Sequence, residues 1–585
     1  MKIKTTLRIP WVMALLLWFC ITSLWAVPAQ RLPFTVTNSD GTKLTLVLCG
    51  DENFHFYTTE GGTPVVQDEQ GDWHMAPELT DSISKTWSRR SQRRNERRIQ
   101  RAASARARRA IGGTSSYEGP KKGIVILVQF PDKAMASTNT LAKFKDMFNK
   151  VGYNENNQTG SVHDYFLAQS YGKLDLTFDV FGPVETDLNY RFYGGNDSNG
   201  NDTCVAKMAA EVCVKADALY NINWKDYDWD DDDEVDQVYI VYAGNGEHAG
   251  ASSNTIWPHE WSLSAGKAAE DGDGAITLGG CIIDTYAMSC ELYNTSKSFM
   301  DGIGTACHEF SHCLGFPDFY DTSYNGGFGM DDWDIMAGGS YNGSRSGCPA
   351  GYTAYERWFS GWLNFTELKE PATITDMPSL EDSPVAYIIR NDGNPHEAYI
   401  LENRQSKGWY KYVGTTTDIH GMLVSHMAYD EESWMRNEVN TTAKEQRMTI
   451  IPANDNYGEL VEIANQKQYY VSQVVRSGQL FPGSENVTAL TNTSHTQGAK
   501  LLTPNTDKSY NMNKPITNIQ EVDGLISFDF MGGSSVGIES PRTMMLNPQA
   551  SISYYTLSGT PVEQPIEPGI YIVREADCTR KVVIR

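Results

Sequence analysis

The sequence predicts an α+β protein of several domains, in which a mixed domain lies between β-rich parts. The chain has 585 residues, which is too long for one hydrophobic core, and its apolar content of 40 % is enough to give each domain a core. Apolar and polar residues alternate between residues 30 and 87, as they do in strands. Strand-like and helix-like segments mix between residues 119 and 365, and strand-like runs dominate from residue 366 onward.

Residues 1–29 have the order of a secretory signal peptide. A basic start is followed by the apolar run Ile9–Trp25 and then by the small residues Ala26 and Ala29. No later segment is apolar for long enough to cross a bilayer. We therefore expect an exported protein with no transmembrane span after removal of the signal.

An arginine-rich linker, residues 88–118, follows the first β-rich unit and contains ten arginines in an otherwise acidic chain. Such a run of like charge stays solvated, and exposed arginines between two folded units form a target for an arginine-specific protease. We interpret this segment as a processing linker and residues 30–87 as a β-rich propeptide. Within the propeptide, Cys49, Asp51 and His55 are candidates to block a metal site.

The mixed domain spans residues 119–365. Its apolar spacing predicts helices over 141–150, 161–172 and 202–219, and strands over 121–130, 173–182 and 235–244. Strand-like runs over 386–390, 398–405, 420–427 and 525–530 then predict a β-rich accessory domain of sandwich type, residues 366–533. Gly532–Gly537 is typical of a flexible joint, and residues 534–585 form a further small β unit.

Net charge argues against one class of partner. The formal charge is -24 and the isoelectric point is near 4.9. Because binding to phosphate needs a basic face, we expect no nucleic-acid partner.

Nine cysteines remain after removal of the signal, and an exported protein can form disulfides. Spacing along the chain makes Cys204 with Cys213 and Cys281 with Cys290 the candidate pairs.

The segment HEFSHCLGFPDFYD contains the residues with the clearest chemistry. Apolar spacing predicts a helix that ends at Gly315, so His308 and His312 lie one turn apart on one face. Two imidazoles at this spacing can hold one Zn²⁺, while Glu309 takes a proton from water that the metal polarises. The sequence therefore predicts a zinc site with Glu309 as general base.

A third zinc ligand is needed to complete this site. Gly315 can adopt the left-handed conformation that turns the chain back and brings Asp318 to the metal, which leaves the fourth position for water and substrate. Glu356 on a later helix is the alternative third ligand, as in thermolysin-like enzymes. The turn at Gly315, together with a second turn around Met336 that is described next, favours Asp318 as the third ligand.

Met336 lies in a glycine-rich turn within DDWDIMAGGSYNG. In metzincin-type peptidases a methionine turn passes beneath the metal, and this segment resembles one. Residues 119–365 are therefore predicted to be a metzincin-like zincin catalytic domain.

These motifs resemble those of the secreted metallopeptidases related to immune inhibitor A. The resemblance extends from about Lys121 to Phe530. It implies zinc endopeptidase activity on protein or peptide substrates, an amino-terminal propeptide and bound calcium. It places the zinc ligands on His308, His312 and Asp318, and the general base on Glu309.

A second metal site is predicted in the acidic segment DYDWDDDDEVD. Its carboxylates alternate at Asp228, Asp230 and Asp232, with Asp236 beyond them, like the oxygen ligands of a calcium loop. Asp233 stands where such loops have glycine. Crowded charge beside a core strand is costly without a cation, so we expect Ca²⁺ here rather than a solvated acidic loop.

The last segment, Tyr554–Arg585, alternates apolar and polar residues around a turn at Pro568 and Gly569. Its GIYIV strand and its final KVVIR strand resemble the carboxy-terminal sorting domain of type IX secretion substrates. That resemblance implies export by the type IX secretion machinery through the periplasm of a Gram-negative bacterium, to the cell surface or the medium. The alternative is a β tail that caps the preceding domain.

Two other functions remain open from the sequence. The ligands alone allow a zinc hydrolase of a non-peptide bond. The β-rich carboxy-terminal half allows a surface adhesin with a relic zinc site, although Glu309 argues against a relic, which has no need of the base.

Overall fold

A computed structural model gives the structure of the chain and describes it over a set of ranges: 28–29, 33–51, 54–68, 71–80, 83, 117–196, 202–268, 272–294, 297–463, 466–495, 499–533, 537–539, 552–556, 561–562, 569–575 and 578–584. The chain divides into two compact units, Met1–Ser540 and Pro541–Arg585. The signal run and the arginine run lie outside the described residues. Among those that are described, no helix is both long and apolar enough to cross a membrane.

The amino-terminal sheet is an antiparallel meander of five strands in chain order. Its strands are β1 (Phe34–Thr37), β2 (Lys43–Asp51), β3 (Phe54–Thr59), β4 (Pro64–Gln67) and β5 (Trp73–Met75). Leu46 and Leu48, two residues apart on β2, are buried, as the alternating pattern predicts.

The central sheet has the strand order β13-β12-β8-β6-β7, and β9 also pairs with β12. Its strands are β6 (Gly119–Gln129), β7 (Leu174–Glu185), β8 (Val238–Asn245), β9 (His259–Ser262), β12 (Thr285–Asn294) and β13 (Lys297–Met300). The hairpin β10 (Ile276–Leu278) and β11 (Cys281–Ile283) lies apart from this sheet. Strands β6, β7, β8 and β12 are parallel. Residues 124–128 of β6 are fully buried, because helices cover both faces of a parallel sheet.

The helices are α1 (Leu141–Asn149), α2 (Val162–Gln169), α3 (Tyr190–Gly194), α4 (Val205–Tyr220), α5 (Leu263–Ala268), α6 (Ile303–Cys313), α7 (Ala354–Phe359), α8 (Glu431–Met435) and α9 (Gln473–Ser477). Val125 and Leu127 of β6 pack in one core with residues of α1, α2 and α6. Ile124 and Ile126 face the opposite way and pack with α4. The helices and strands predicted between residues 121 and 244 are therefore confirmed.

Two further sheets follow the central one. One has the order β14 (Thr366–Glu367), β16 (Tyr387–Asn391), β17 (Asn394–Arg404), β18 (Gly421–Ala428) and β19 (Met448–Ile450). The other has the order β22 (Ile516–Val522), β23 (Leu525–Phe530), β15 (Ala372–Met377) and β24 (Gly537–Glu539). A hairpin joins β20 (Glu459–Ile463) and β21 (Gln466–Tyr470). Ile374 and Phe528 of the second sheet share a core with Tyr387, Leu401 and Val424 of the first, so the two sheets pack face to face.

The carboxy-terminal unit is an antiparallel sheet with the order β26-β25-β27-β28. Its strands are β25 (Ile552–Thr556), β26 (Pro561–Val562), β27 (Gly569–Glu575) and β28 (Cys578–Ile584). The strands GIYIV and KVVI pair with each other in this sheet.

Both disulfide predictions are wrong, because the structure forms neither bond. Cys204 is the N-cap of α4 and Cys213 lies nine residues along the helix, about 13 Å away, which is beyond the reach of a disulfide. Cys281 lies on the β10–β11 hairpin, whereas Cys290 lies on the central sheet.

Candidate metal centre

Helix α6 presents the two histidines of the motif to one point. It is buried along nearly its whole length, and it ends where Gly315 adopts a φ of 91°. The rings of His308 and His312 are 4.9 Å apart between centroids, as expected for residues one turn apart on one face. The local sequence therefore produces the spacing that a metal site needs.

The outer nitrogen of each imidazole is held by a main-chain carbonyl. His308 Nδ1 lies 2.7 Å from the carbonyl oxygen of Ile335, and His312 Nδ1 lies 2.8 Å from that of Phe316. A carbonyl accepts only, so each Nδ1 carries the proton and each Nε2 is left with its lone pair. This is the tautomer of a metal-binding histidine whose second nitrogen is anchored.

Asp318 lies directly opposite the two lone pairs. Its Oδ1 is 3.3 Å from His308 Nε2 and 3.6 Å from His312 Nε2. Both His308 Nε2 and Asp318 Oδ1 are buried and lack a hydrogen-bond partner among the described residues. Two imidazole nitrogens and one carboxylate oxygen are a donor set that Zn²⁺ takes in proteins, so these side chains fit the ion.

The other oxygen of Asp318 is held from a distant part of the chain. Asn437 Nδ2 donates to Asp318 Oδ2 at 2.6 Å, and Asn437 Oδ1 accepts the Asp318 main-chain N–H at 2.7 Å. Sequence reasoning missed Asn437, since 119 residues separate it from Asp318 and no motif marks it. Its one local sign is a φ of 55°, which asparagine tolerates better than most residues.

The turn around Met336 contacts His308. The main-chain N–H of Met336 donates to Asp334 Oδ1 at 2.7 Å, and its carbonyl accepts from Phe319 N–H at 2.7 Å. The neighbouring carbonyl, that of Ile335, is the one that anchors His308. The turn thus connects the helix to the Asp318 loop.

The alternative ligand Glu356 has a different position. Its Oε2 accepts hydrogen bonds from Thr353 N and Thr353 Oγ1, which cap the start of α7. Burial, with the nearby Asp334 carboxyl, raises the pKa of Glu356 well above its ordinary value. Glu356 is therefore part of the cap of α7 in this structure.

Glu309 lies between the two histidines in sequence and is fully buried. Donor atoms of His308, Glu309 and His312 all lie within 4.8 Å of one another. A carboxylate at this distance from the two histidines can exchange a proton with a water molecule between them.

The amino-terminal sheet and the residues before it contact segments next to this centre. Tyr324, six residues after Asp318, donates its hydroxyl to the carbonyl of Gly50 at 3.0 Å. Tyr341, five residues after Met336, donates to the carbonyl of Pro28 at 2.7 Å. The sheet is thereby tied to the segment after Asp318, and Pro28, which precedes the sheet, is tied to the segment after Met336.

The structure gives two of the three candidate blocking residues other contacts. Cys49 is buried in a small core with Phe56 and Tyr324. His55 Nε2 lies 3.4 Å from Glu247 Oε2, and the His55 ring contacts that of Trp257. The side chain of the third candidate, Asp51, lies outside the described residues.

The acidic loop brings its alternating carboxylates together. Oxygen atoms of Asp228, Asp230 and Asp232 lie within 4.8 Å of one another. Burial, reinforced by the nearby Asp230, Asp228 and Asp232 carboxylates, raises the pKa of Asp236 to about 7. Lys225, which sequence reasoning missed, donates to Asp228 Oδ2 at 2.8 Å and offsets part of the negative charge.

Comparison with known proteins adds an independent line of evidence. Residues 114–364 match the family described as immune inhibitor A peptidase M6, catalytic domain. The chain is 26 % identical over 289 residues to the pre-pro-metalloprotease PrtV of Vibrio cholerae serotype O1, an alignment that covers 42 % of this chain and 31 % of that protein. It is 27 % identical over 300 residues to immune inhibitor A of Bacillus thuringiensis subsp. alesti, covering 43 % of this chain and 42 % of that protein. The chain therefore spans less than half the length of each of these relatives.

Proposed function

Since residues 114–364 are a metallopeptidase catalytic domain of the immune inhibitor A family, we propose that the whole chain is a secreted zinc-dependent endopeptidase made as a zymogen. The observation that carries the proposal is the pair formed by His308 Nε2 and Asp318 Oδ1. These two buried bases lie 3.3 Å apart, and neither has a hydrogen-bond partner among the described residues. Such an arrangement is stable only with a cation or a proton between the two groups.

His308, His312 and Asp318 would hold Zn²⁺, which supplies a Lewis acid for the scissile carbonyl and makes water more acidic. Glu309 takes the proton of the attacking water and returns it to the nitrogen of the leaving amine. Ile335 and Phe316 keep both imidazoles in the tautomer whose Nε2 faces the metal position. Metal binding and proton transfer are thus carried out by different residues.

The amino-terminal segment, residues 30–87, is proposed to keep the enzyme inactive before processing. The hydrogen bond from Tyr324 to the carbonyl of Gly50, and the contact of His55 with Glu247, support a position of this segment against the catalytic domain. Cleavage in the linker 88–118 would separate the sheet covalently from the catalytic domain and allow it to leave. In this proposal the sheet is an inhibitory propeptide.

Calcium is the proposed ligand of the acidic loop. Asp228, Asp230, Asp232 and Asp236 would supply oxygen ligands, which Ca²⁺ prefers. The closeness of three carboxylates and the raised pKa of Asp236 both support a bound cation. The loop precedes β8, so the ion would stabilise the edge of the catalytic core.

Export is proposed to use residues 534–585, which include the carboxy-terminal unit Pro541–Arg585, as a type IX sorting domain. Support comes from its resemblance to such domains and from the pairing of its GIYIV and KVVI strands. The route would lead through the periplasm of a Gram-negative bacterium to the cell surface or the medium.

A cleavage assay on a mixed peptide library, with and without chelator, tests the proposed function. We expect internal cleavage of peptides that stops on chelation and returns with Zn²⁺. Hydrolysis of small esters without cleavage of any peptide would instead indicate a zinc hydrolase of another bond. Absence of both activities from a zinc-loaded, processed protein would favour an adhesin with a relic site.

A further inference from the structure

Three metal-binding side chains meet at a second buried position in the catalytic domain. His248 lies in a short turn after β8, Cys290 lies on β12, and Asp301 lies between β13 and α6. One donor atom of each lies within 4.8 Å of the other two. The exposed fractions of the three residues are 2 %, 2 % and 7 %, so the cluster is closed to solvent.

The buried surroundings of the three groups favour their uncharged forms. Burial lowers the pKa of His248 to about 3, so its ring is neutral, and its Nδ1 has no hydrogen-bond partner among the described residues. Burial raises the pKa of the Cys290 thiol well above its ordinary value, and the thiol donates to the carbonyl of Leu292 at 3.3 Å. Burial raises the pKa of Asp301 to about 7, as expected for a carboxyl without a nearby cation.

We propose that His248, Cys290 and Asp301 bind a structural Zn²⁺ ion, separate from the ion held by His308, His312 and Asp318. Imidazole, thiolate and carboxylate are all zinc ligands, and water can complete a tetrahedral shell. Binding would displace the proton of the Cys290 thiol to solvent, together with any proton on Asp301. Nothing is oxidised or reduced in this step.

Such an ion would join three elements that support the catalytic helix. Asp301 accepts hydrogen bonds from Gly302 N and Thr305 Oγ1 and so sits at the start of α6. A metal link from Asp301 to β12 and to the end of β8 would fix the position of that helix against the sheet. The expected role is stability of the domain rather than chemistry on the substrate.

Cobalt substitution can detect this site separately from the catalytic one. A thiolate bound to Co²⁺ gives a near-ultraviolet charge-transfer band, and the proposed catalytic ligands include no cysteine. The full chain would be stripped with chelator and titrated with Co²⁺ in excess Ca²⁺, which keeps the acidic loop filled. We expect each chain to bind about two equivalents of Co²⁺, one at each proposed site. Only the equivalent bound at Cys290 should give this band.

Matched variants assign the band. Cys290→Ala should abolish it, whereas Cys213→Ala, which removes another buried thiol, should leave it intact. The double variant His308→Ala and His312→Ala should lose the Co²⁺ ion bound at the catalytic site and keep the band. The experiment therefore distinguishes failure of the proposed function from failure of this second site. His248→Ala and Asp301→Asn should each weaken Co²⁺ binding if Cys290→Ala does not fold. A wild-type protein without the band, or a band that survives Cys290→Ala, would overturn the proposal.

Discussion

Asn437 and Asp318 form a paired contact between the β-rich region and the metal centre. The asparagine amide donates to one carboxylate oxygen, and its carbonyl accepts the aspartate N–H. Thr322 Oγ1 also donates to the main-chain carbonyl of Asn437. The loop of Asp318 is thus shaped by residues from a region that contributes no proposed metal ligand.

Asn437→Gly should lower zinc affinity by about 10- to 100-fold, since partners that orient a metal ligand have effects of this size. Glycine tolerates the positive φ, so the variant removes the amide without adding backbone strain. Asn513→Gly is the control, because Asn513 has a φ of 59° but is exposed. Competition with a chelator measures both affinities, and equal affinities in the two variants would rule out a positioning role for Asn437.

Glu309→Ala should keep near-stoichiometric zinc and lose peptidase activity by several orders of magnitude. The ligands remain, while the group that moves the proton is gone. Metal analysis and turnover of a peptide substrate on the same sample check both halves. Near wild-type cleavage by this variant would show that another residue is the base.

The third ligand can be assigned with two variants. Asp318→Ala should lose both zinc and activity. Glu356→Gln should bind zinc normally and keep its fold, because an amide oxygen can accept the same hydrogen bonds from Thr353. Loss of zinc from the glutamine variant, with retention in the alanine variant, would reverse the assignment.

Calcium should raise the unfolding temperature and slow self-cleavage, because a cation offsets repulsion among the loop carboxylates. Replacing Asp228 and Asp230 by asparagine should abolish the calcium-dependent part of the shift. Asp231→Asn is a control from the same loop, since the Asp231 side chain is 88 % exposed. If the unfolding temperature of the wild type does not depend on calcium, the segment is a solvated acidic loop and not a calcium site.

Activation should occur by cleavage within residues 88–109, the arginine run. Sequencing the amino terminus of the mature enzyme gives the cut position, and a start before Ser88 would contradict the prediction. Substituting glutamine for the ten arginines should leave the chain intact and latent when it meets an arginine-specific protease.

Deletion from Gly537 onward should trap a folded protease in the periplasm, if the carboxy-terminal unit directs export. The reciprocal experiment fuses residues 534–585 to an inert periplasmic reporter, which should then reach the medium or the cell surface. If the truncated enzyme reaches the medium or the cell surface in normal amounts, the deleted residues have only a structural role. Because β24 pairs with β15, a second deletion from Pro541 separates loss of that strand from loss of the tail.

Local sequence was sufficient for features that depend on spacing along the chain. Helix α6 and the facing histidines follow from a periodicity of 3.6 residues, and the glycine after the helix explains the turn toward Asp318. The strands β6, β7 and β8 follow from continuous or alternating apolar runs. These patterns act over a few residues, so they are visible without any knowledge of the tertiary fold.

Only the tertiary structure decided which distant residues meet. The contact of Asn437 with Asp318 and the cluster of His248, Cys290 and Asp301 arise because strands and loops far apart in sequence pack against one core. The same packing separates Cys281 from Cys290, whose short spacing favoured a disulfide. Hydrophobic burial drives that packing, and it is not directional. Spacing along the chain therefore does not determine which polar side chains the packing brings together.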